Sequence, residues 1–334
     1  MGTENNRSFD TGKFVISLDF ELLWGVRDKK TIETYGANIL GVRQVIPALL
    51  NSFDKFGVKG TFSTVGFLFA KNKKELKQYI PAVLPAYTDA NLSPYAEVEV
   101  AGDDETDDPY HFGYSLLMQI ADNPNHEIGT HTFCHYYCLE PGQTMEAFRH
   151  DLLAAKKIAA DMNVNVRSLV FPRNQFNEEY LLACKETGID SYRGNPQSWL
   201  YAARSKNDES LIRRALRFID TYINLTGHHC YSLQHVRSST IINVAGSRFL
   251  RPYSKKLSFL DSLRLRRIKR AMLHAARNNQ LFHLWWHPHN FGINLRENID
   301  FLEKILSYYT SLNKQYGLQS VTMTRLAHEL KTTV

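Results

Sequence analysis

The chain has 334 residues, of which 43% are hydrophobic, 12% aromatic and 22% charged, the balance of a folded protein large enough to bury a substantial core. No run of 18 apolar residues occurs, and the opening MGTENNRSFDTGK has no apolar h-region. Neither a membrane span nor a secretory leader is therefore expected, and the expected location is cytoplasmic. The net charge of +6 is uneven: residues 248–277 hold ten Lys or Arg against one acid, while residues 97–108 hold seven acids and no base.

Residues 1–12 are polar and are expected to be disordered. Lys13–Leu18 (KFVISL) reads as a buried strand, followed by a helix over Asn38–Phe56 that stops at Gly57 and a second strand over Val58–Gly66. Strand, helix, strand in that order predicts a parallel βα architecture, and the length suits one barrel with insertions. Residues 71–125 read as an acidic insertion, either a lid over a site or a solvated loop. His126–His131 is the next strand, and Thr144–Met162 a helix with Thr144 as its N-cap. Strands are expected at Arg167–Pro172, Ile189–Tyr192, Gln280–Trp286 and Leu318–Met323. Helices are expected at Glu178–Thr187, Asp208–Leu216, Phe259–Arg277 and Asn298–Tyr316. The four cysteines, Cys134, Cys138, Cys184 and Cys230, read as reduced thiols in a chain of this size.

Reactive side chains follow the strand ends, where a parallel barrel builds its active site. Asp19 and Glu21 follow the first strand, His131 and His135 the third, Arg173 the fourth, and His287 and His289 the last strong one. Residues two apart on extended chain share a side, and two carboxylates there repel each other unless a cation or a catalytic task holds them. Two histidines four apart can face one ion, and two His with a carboxylate leave coordination positions for water and substrate. Such a cation polarises a carbonyl and acidifies its water. A second carboxylate can take that water's proton and a His can protonate a leaving amine. Together these residues could hydrolyse an amide.

The sequence resembles the polysaccharide deacetylases, the NodB homology group of carbohydrate esterases. Ser17-Leu18-Asp19-Phe20-Glu21 resembles the first family motif with its acids spaced by one residue. His131-Thr132-Phe133-Cys134-His135 meets the His-Ser/Thr-x-x-His motif in full. Phe171-Pro172-Arg173-Asn174-Gln175 resembles a reordered third motif, Ile189-Asp190-Ser191-Tyr192-Arg193 stands at the fourth, and Trp285-Trp286-His287-Pro288-His289 fits the fifth. The resemblance implies a deformed α/β barrel, one domain with insertions over residues 13–330. It also implies one divalent ion, zinc first, on Glu21, His131 and His135, with Asp19 and Glu21 left as alternatives for the carboxylate ligand. Asp19 is then the general base held by Arg173, and His287 the general acid with His289 as its rival. Trp285, Trp286, Tyr192 and Asn174 are expected to contact the sugar. An allantoinase-like cyclic amide hydrolase and an inactive carbohydrate-binding homologue are the alternatives.

The expected substrate is an acetylated sugar carried on a nucleotide or lipid diphosphate, in surface polysaccharide (O-antigen) synthesis. The basic helical segment 248–277 is expected to meet that charge, and to offer peripheral contact with the inner membrane surface. Without aromatic interleaving or a known binding motif, nucleic acid is not an expected partner.

Overall fold

The computed structural model of the chain describes residues 11–202, 210–237 and 241–332. Its first half alternates strand and helix: β1 Lys13–Phe20, α1 Ile32–Phe56, β2 Gly60–Thr64, then α2 Lys73–Gln78, α3 Tyr95–Val100 and α4 Tyr114–Ala121. There follow β3 Glu127–Thr130, α5 Met145–Asp161, β4 Ser168–Val170, α6 Glu178–Glu186, β5 Ser191–Arg193 and α7 Leu211–Asp220. The last third holds β6 Tyr231–Ser232, α8 Leu233–Arg237, β7 Ile242–Asn243, β8 Arg248–Phe249, α9 Asp261–Arg277, β9 Gln280–Trp286, α10 Leu295–Tyr316, β10 Gln319–Ser320 and α11 Met323–Thr332.

The strands form one curled sheet in the order β6-β9-β1-β2-β3-β4-β5-β7, with β10 added to β1 and β8 to β9. Every pairing is parallel except β6 with β9. This is the half-barrel of α/β class that the sequence pattern implied. All eight residues of β1 are buried, as a strand covered on both faces requires. Its alternation decides what faces where. Phe14, Ile16, Leu18 and Phe20 enter the large core under the helices, and Val15 enters the smaller cluster inside the curl with Val170, Val244 and Leu281. Ser17 and Asp19 therefore share the inner face with Val15. On β9 the same alternation gives Leu281, His283 and Trp285 to the inside, and Phe282, Leu284 and Trp286 to the helix layer.

Trp286 and Tyr192 were expected against the sugar, and the alternation assigns both to the core. Trp286 is fully buried against Phe53 and Phe291, and Tyr192 packs edge-on against Phe171 and Phe176. The N-cap expectation for Thr144 holds, its hydroxyl accepting from the Ala147 amide at 3.1 Å. Helix α11 was not anticipated. Of residues 1–12 only Thr11 and Gly12 are described, and Gly12 offers its carbonyl to the Gln319 amide. The expected helix at Asp208–Leu216 begins at Leu211, and residues 208–209 lie outside the described residues.

The acidic insertion is neither lid nor free loop. Glu97 pairs with Arg27 and His111, Asp108 with His111, Glu105 with Arg43 and Glu99 with Lys77. The His111 carbonyl accepts from Trp24 Nε1 at 2.7 Å, so the insertion braces the turn that follows β1. The basic segment is not a continuous helix: β8 opens it and only residues 261–277 are α-helical. Arg264 and Arg267 are buried with Ile268, Ala271 and Met272 on the inner side of α9, so its charge does not form one outward cationic face. No described helix is long and apolar enough to cross a membrane.

Candidate metal and catalytic site

Glu21 leaves the end of β1 and is buried among four imidazoles. Its Oε2 lies 3.3 Å from His131 Nε2 and 3.2 Å from His135 Nε2, and its Oε1 lies 3.0 Å from His289 Nε2 and 3.8 Å from His287 Nε2. The other ring nitrogens are engaged behind. His131 Nδ1 meets the Val170 carbonyl at 2.7 Å, His135 Nδ1 the Tyr137 hydroxyl at 3.0 Å, and His289 Nδ1 the Tyr35 hydroxyl at 2.9 Å. Room for the carboxylate depends on Gly25: a Cβ there would stand 1.9 Å from Glu21 Cδ.

The His131–His135 turn is held by the core. Thr132 and His135 both adopt left-handed backbone, at φ 64° and 61°, a conformation costly for residues with a Cβ. The buried Asp151 of α5 accepts the Phe133 and Cys134 amides at 2.8 and 3.0 Å, and Thr132 Oγ1 accepts the Tyr136 amide at 2.7 Å. Burial pushes the Asp151 carboxyl up to about 6, although these backbone bonds draw it down. Asp151 was not foreseen, because it sits mid-helix and far from any motif.

These residues fit a divalent cation. Donor atoms of Glu21, His131 and His135 all lie within 4.8 Å of one another, as do those of Glu21, His287 and His289. An imidazole that gives its Nδ1 proton to a carbonyl presents a lone pair at Nε2. At His131 the Nε2 atom faces a carboxylate oxygen at 3.3 Å, a pairing that a bound cation between them would satisfy. For Glu21, burial favours the neutral acid, but His287 and the three bonded imidazoles outweigh it and hold the carboxyl well below the usual range. Burial pushes His135 down to about 4 against the pull of Glu21. A charged carboxylate beside neutral imidazole is the protonation state that metal binding requires.

Asp19 sits two residues before Glu21 on the inner face, 2% exposed. Its partner is Arg193 rather than Arg173. The Arg193 guanidinium donates to both carboxylate oxygens at 2.6 and 2.7 Å. Arg193 ends β5 on the inner face, whereas Arg173 follows Pro172 with left-handed backbone (φ 54°). Arg173 pairs instead with Asp28 and Glu140, and stacks on Tyr137. Asn174 lies close by, its Oδ1 accepting from Arg193 at 3.1 Å. Burial raises Asp19, but Arg193, then His287 and His131, bring it below the usual carboxylate value.

A polar chain behind Arg193 was also missed. His283 Nδ1 meets the Val244 carbonyl at 2.8 Å, so Nε2 accepts from the Ser17 hydroxyl at 2.8 Å, and Ser17 Oγ accepts from Arg193 at 3.0 Å. Burial pushes His283 down to about 3, with Arg193 acting the same way, so it is a neutral, oriented acceptor. The signal was present in the sequence, since Ser17-x-Asp19 and His283-x-Trp285 share strand parity.

His287 Nε2 lies 3.5 Å from Asp19 Oδ2 with a quarter of its side chain exposed, whereas His289 is 5% exposed. A cavity of about 360 Å³ opens beside it, lined in part by His287, Trp285, Asn174 and Arg173. Trp285 also covers the Arg193 guanidinium, 4.0 Å from ring centre to Cζ. His287, Trp285 and Asn174 thus meet the cavity, while His289 faces the Glu21 cluster.

Comparison with known proteins bears on the family and the fold. The polysaccharide deacetylase family model matches residues 25–192, half of the chain, leaving Asp19, Glu21, Arg193 and His287 beyond its limits. No curated protein matches the sequence. A structure assigned to the polysaccharide deacetylases, from Mycobacterium smegmatis, is 13% identical, with a TM-score of 0.54 over 99% of this chain and 94% of that one. A carbohydrate esterase family 4 pseudoenzyme from Bacillus anthracis is 14% identical, with a TM-score of 0.44 over 95% of this chain and 66% of that one, just under two thirds of its length. A peptidoglycan N-acetylglucosamine deacetylase is 11% identical, with a TM-score of 0.44 over 95% and 89%. The chain belongs to the polysaccharide deacetylase family.

Proposed function

We propose that the protein is a metal-dependent N-deacetylase that hydrolyses the acetamido group of a sugar. The observation that carries this reading is the junction of two units: Glu21 among histidines, and Asp19 clamped by Arg193 with His287 alongside. Glu21, His131 and His135 would hold the cation, zinc first, which supplies polarisation of the amide carbonyl and a more acidic water. Asp19, kept ionised by Arg193, accepts the water proton. Arg193, Ser17 and His283 fix the direction in which its carboxylate points. His287 Nε2, 3.5 Å from Asp19 Oδ2 and open to the cavity, delivers a proton to the departing nitrogen. Trp285 forms the wall on which a sugar face packs. Acetate and a free amine leave.

The substrate we assign is an acetylated precursor of a surface polysaccharide, O-antigen among them, met in the cytoplasm rather than as finished polymer. Its support is the arginine around the neighbouring cavity. The test is acetate release by the zinc-loaded protein from a panel of acetylated monosaccharides, sugar nucleotides and chitin oligomers. Release from the monomeric set, lost on chelation and restored by zinc, is expected. Hydrolysis confined to the polymer would overturn the precursor assignment. No acetate from any of the panel would overturn the activity itself.

A further inference from the structure

The cavity beside His287 has an unusual wall. Arg173, Arg217, Arg248, Arg251 and Arg264 line it, and among the described residues no Asp or Glu does. Three of these charges are already matched by acids outside the cavity. Arg173 pairs with Asp28 and Glu140, Arg248 with the buried Asp220 at 2.5 Å, and Arg264 with Asp261 at 2.9 Å. Arg251 differs. Its Nε donates to Thr221 Oγ1 at 3.0 Å, its Cζ lies 5.4 Å from the Phe218 ring centre, and no described carboxylate pairs with it. Its electrostatic neighbours are Tyr222, Tyr201 and another arginine, Arg217, and burial draws its pKa down. A half-buried guanidinium with no described acid beside it, on a wall whose described residues include no acid, keeps its charge available to an entering anion. The planar fork of arginine suits a phosphoryl group, which it binds through paired, charge-assisted hydrogen bonds.

Resting on the reading of the site as a sugar N-deacetylase, we propose that this cavity is a phosphoryl subsite built on Arg251, and that the substrate is an acetylated sugar bearing a phosphate or diphosphate. The position supports the link, because His287 belongs both to the cavity wall and to the Asp19 cluster. One ligand can thus place its acetamido group at Asp19 and its phosphoryl group at Arg251. Arg248 and Arg264, fixed by their own acids and by carbonyls of Gly227 and Pro252, contribute a rigid positive wall behind it.

The test is calorimetric titration of the zinc-loaded full chain with three probes: N-acetylglucosamine 1-phosphate, the neutral methyl glycoside of N-acetylglucosamine, and N-acetylmuramic acid, which carries a carboxylate. The phosphorylated sugar should bind at least about tenfold more tightly than the neutral one, the scale of a charge-assisted hydrogen bond. Arg251→Met should abolish most of that preference and Arg251→Lys should keep part of it, with melting temperatures of both variants confirming the fold. A phosphate preference that survives Arg251→Met would reflect direct contact with the cation and would overturn the subsite, as would a stronger preference for the carboxylate. UDP-N-acetylglucosamine and a short-chain prenyl diphosphate of N-acetylglucosamine then separate nucleotide from lipid carriers. Either one binding in an Arg251-dependent way supports the subsite; failure of every phosphorylated probe to bind overturns it. Arg251-dependent binding without acetate release would uphold the subsite and sink the deacetylase reading, and acetate release without such binding would do the reverse.

Discussion

Replacing Arg193 by methionine tests the assignment of the base more directly than any change at Asp19 itself. The guanidinium is 1% exposed and holds both oxygens of a carboxylate that is 2% exposed. Removing one member of a buried pair leaves an uncompensated charge and costs about 3–5 kcal/mol. The fold can relieve that cost by protonating Asp19. Without the guanidinium, burial dominates and the Asp19 pKa rises from its present depressed value. A base that must be ionised then becomes protonated at less acidic pH, and the acid limb of kcat/KM against pH moves to the alkaline side. The rate loss should deepen as pH falls, towards the ~10²–10⁴-fold range for loss of a positioned base. Arg173→Met, which removes the partner of Asp28 and Glu140, should leave the acid limb where it is. The assay is the pH profile of acetate release for both variants. An unmoved acid limb in Arg193→Met, or an equal shift in Arg173→Met, would refute the reasoning.

Three further outcomes follow from the same geometry. His131→Ala removes a ligand whose ring is fixed by the Val170 carbonyl, so zinc stoichiometry by elemental analysis should fall from one towards zero; retention of stoichiometric zinc would remove His131 from the ligand set. Gly25→Ala places a methyl group 1.9 Å from Glu21 Cδ, so the carboxylate must swing away, and metal affinity should drop at least tenfold with far-UV circular dichroism unchanged; normal affinity would mean that the Glu21 position is not what binds. Asp151 has a folded pKa raised to about 6 from 3.8, so its contribution to stability is complete below about pH 4 and is lost as pH rises through 6. The shift corresponds to about 3 kcal/mol. Urea unfolding of wild type and Asp151→Asn should show a stability difference that changes by that order between pH 4 and pH 7, in the direction that disfavours the wild type at pH 7, and a constant difference would contradict it.

The sheet was legible because buried parallel strands announce themselves as short apolar runs: QLFHLWW coincides with β9, and KFVISL covers all of β1 but its last two residues, Asp19 and Phe20. The ligand turn was legible because His131-Thr-Phe-Cys-His135 is compact in sequence. What defeated the reading of Arg173 was backbone conformation: a left-handed residue after Pro172 turns the side chain from Asp19, and residue type does not announce that. Strand parity would have pointed to Arg193, two residues after Ser191 on the inner side of β5. Parity would also have kept Trp286 and Tyr192 in the core. In the basic segment, composition concealed orientation. Arg264, Arg267, Ile268, Ala271 and Met272 recur at three- and four-residue spacing and so share one buried helix face, which a count of charges cannot show. Motif spacing offers no access to Asp151, His283 or Arg251, whose partners lie 17 to 266 residues away or in another segment.

The cavity wall and the reacting groups come from different stretches of chain. Asp19, Glu21, His131, His135 and His287 stand on or just beyond β1, β3 and β9, whereas most of the wall lies between Asn195 and Ile268. The two have only a narrow hinge of shared residues, chiefly Trp285 and His287. Mutations can therefore accumulate in the wall, exchanging one sugar or one charged appendage for another, while the hydrolytic apparatus stays in register. Transplanting residues 195–268 between members of the family would then move ligand preference as a block, and a lineage could change what it trims without relearning how to cut.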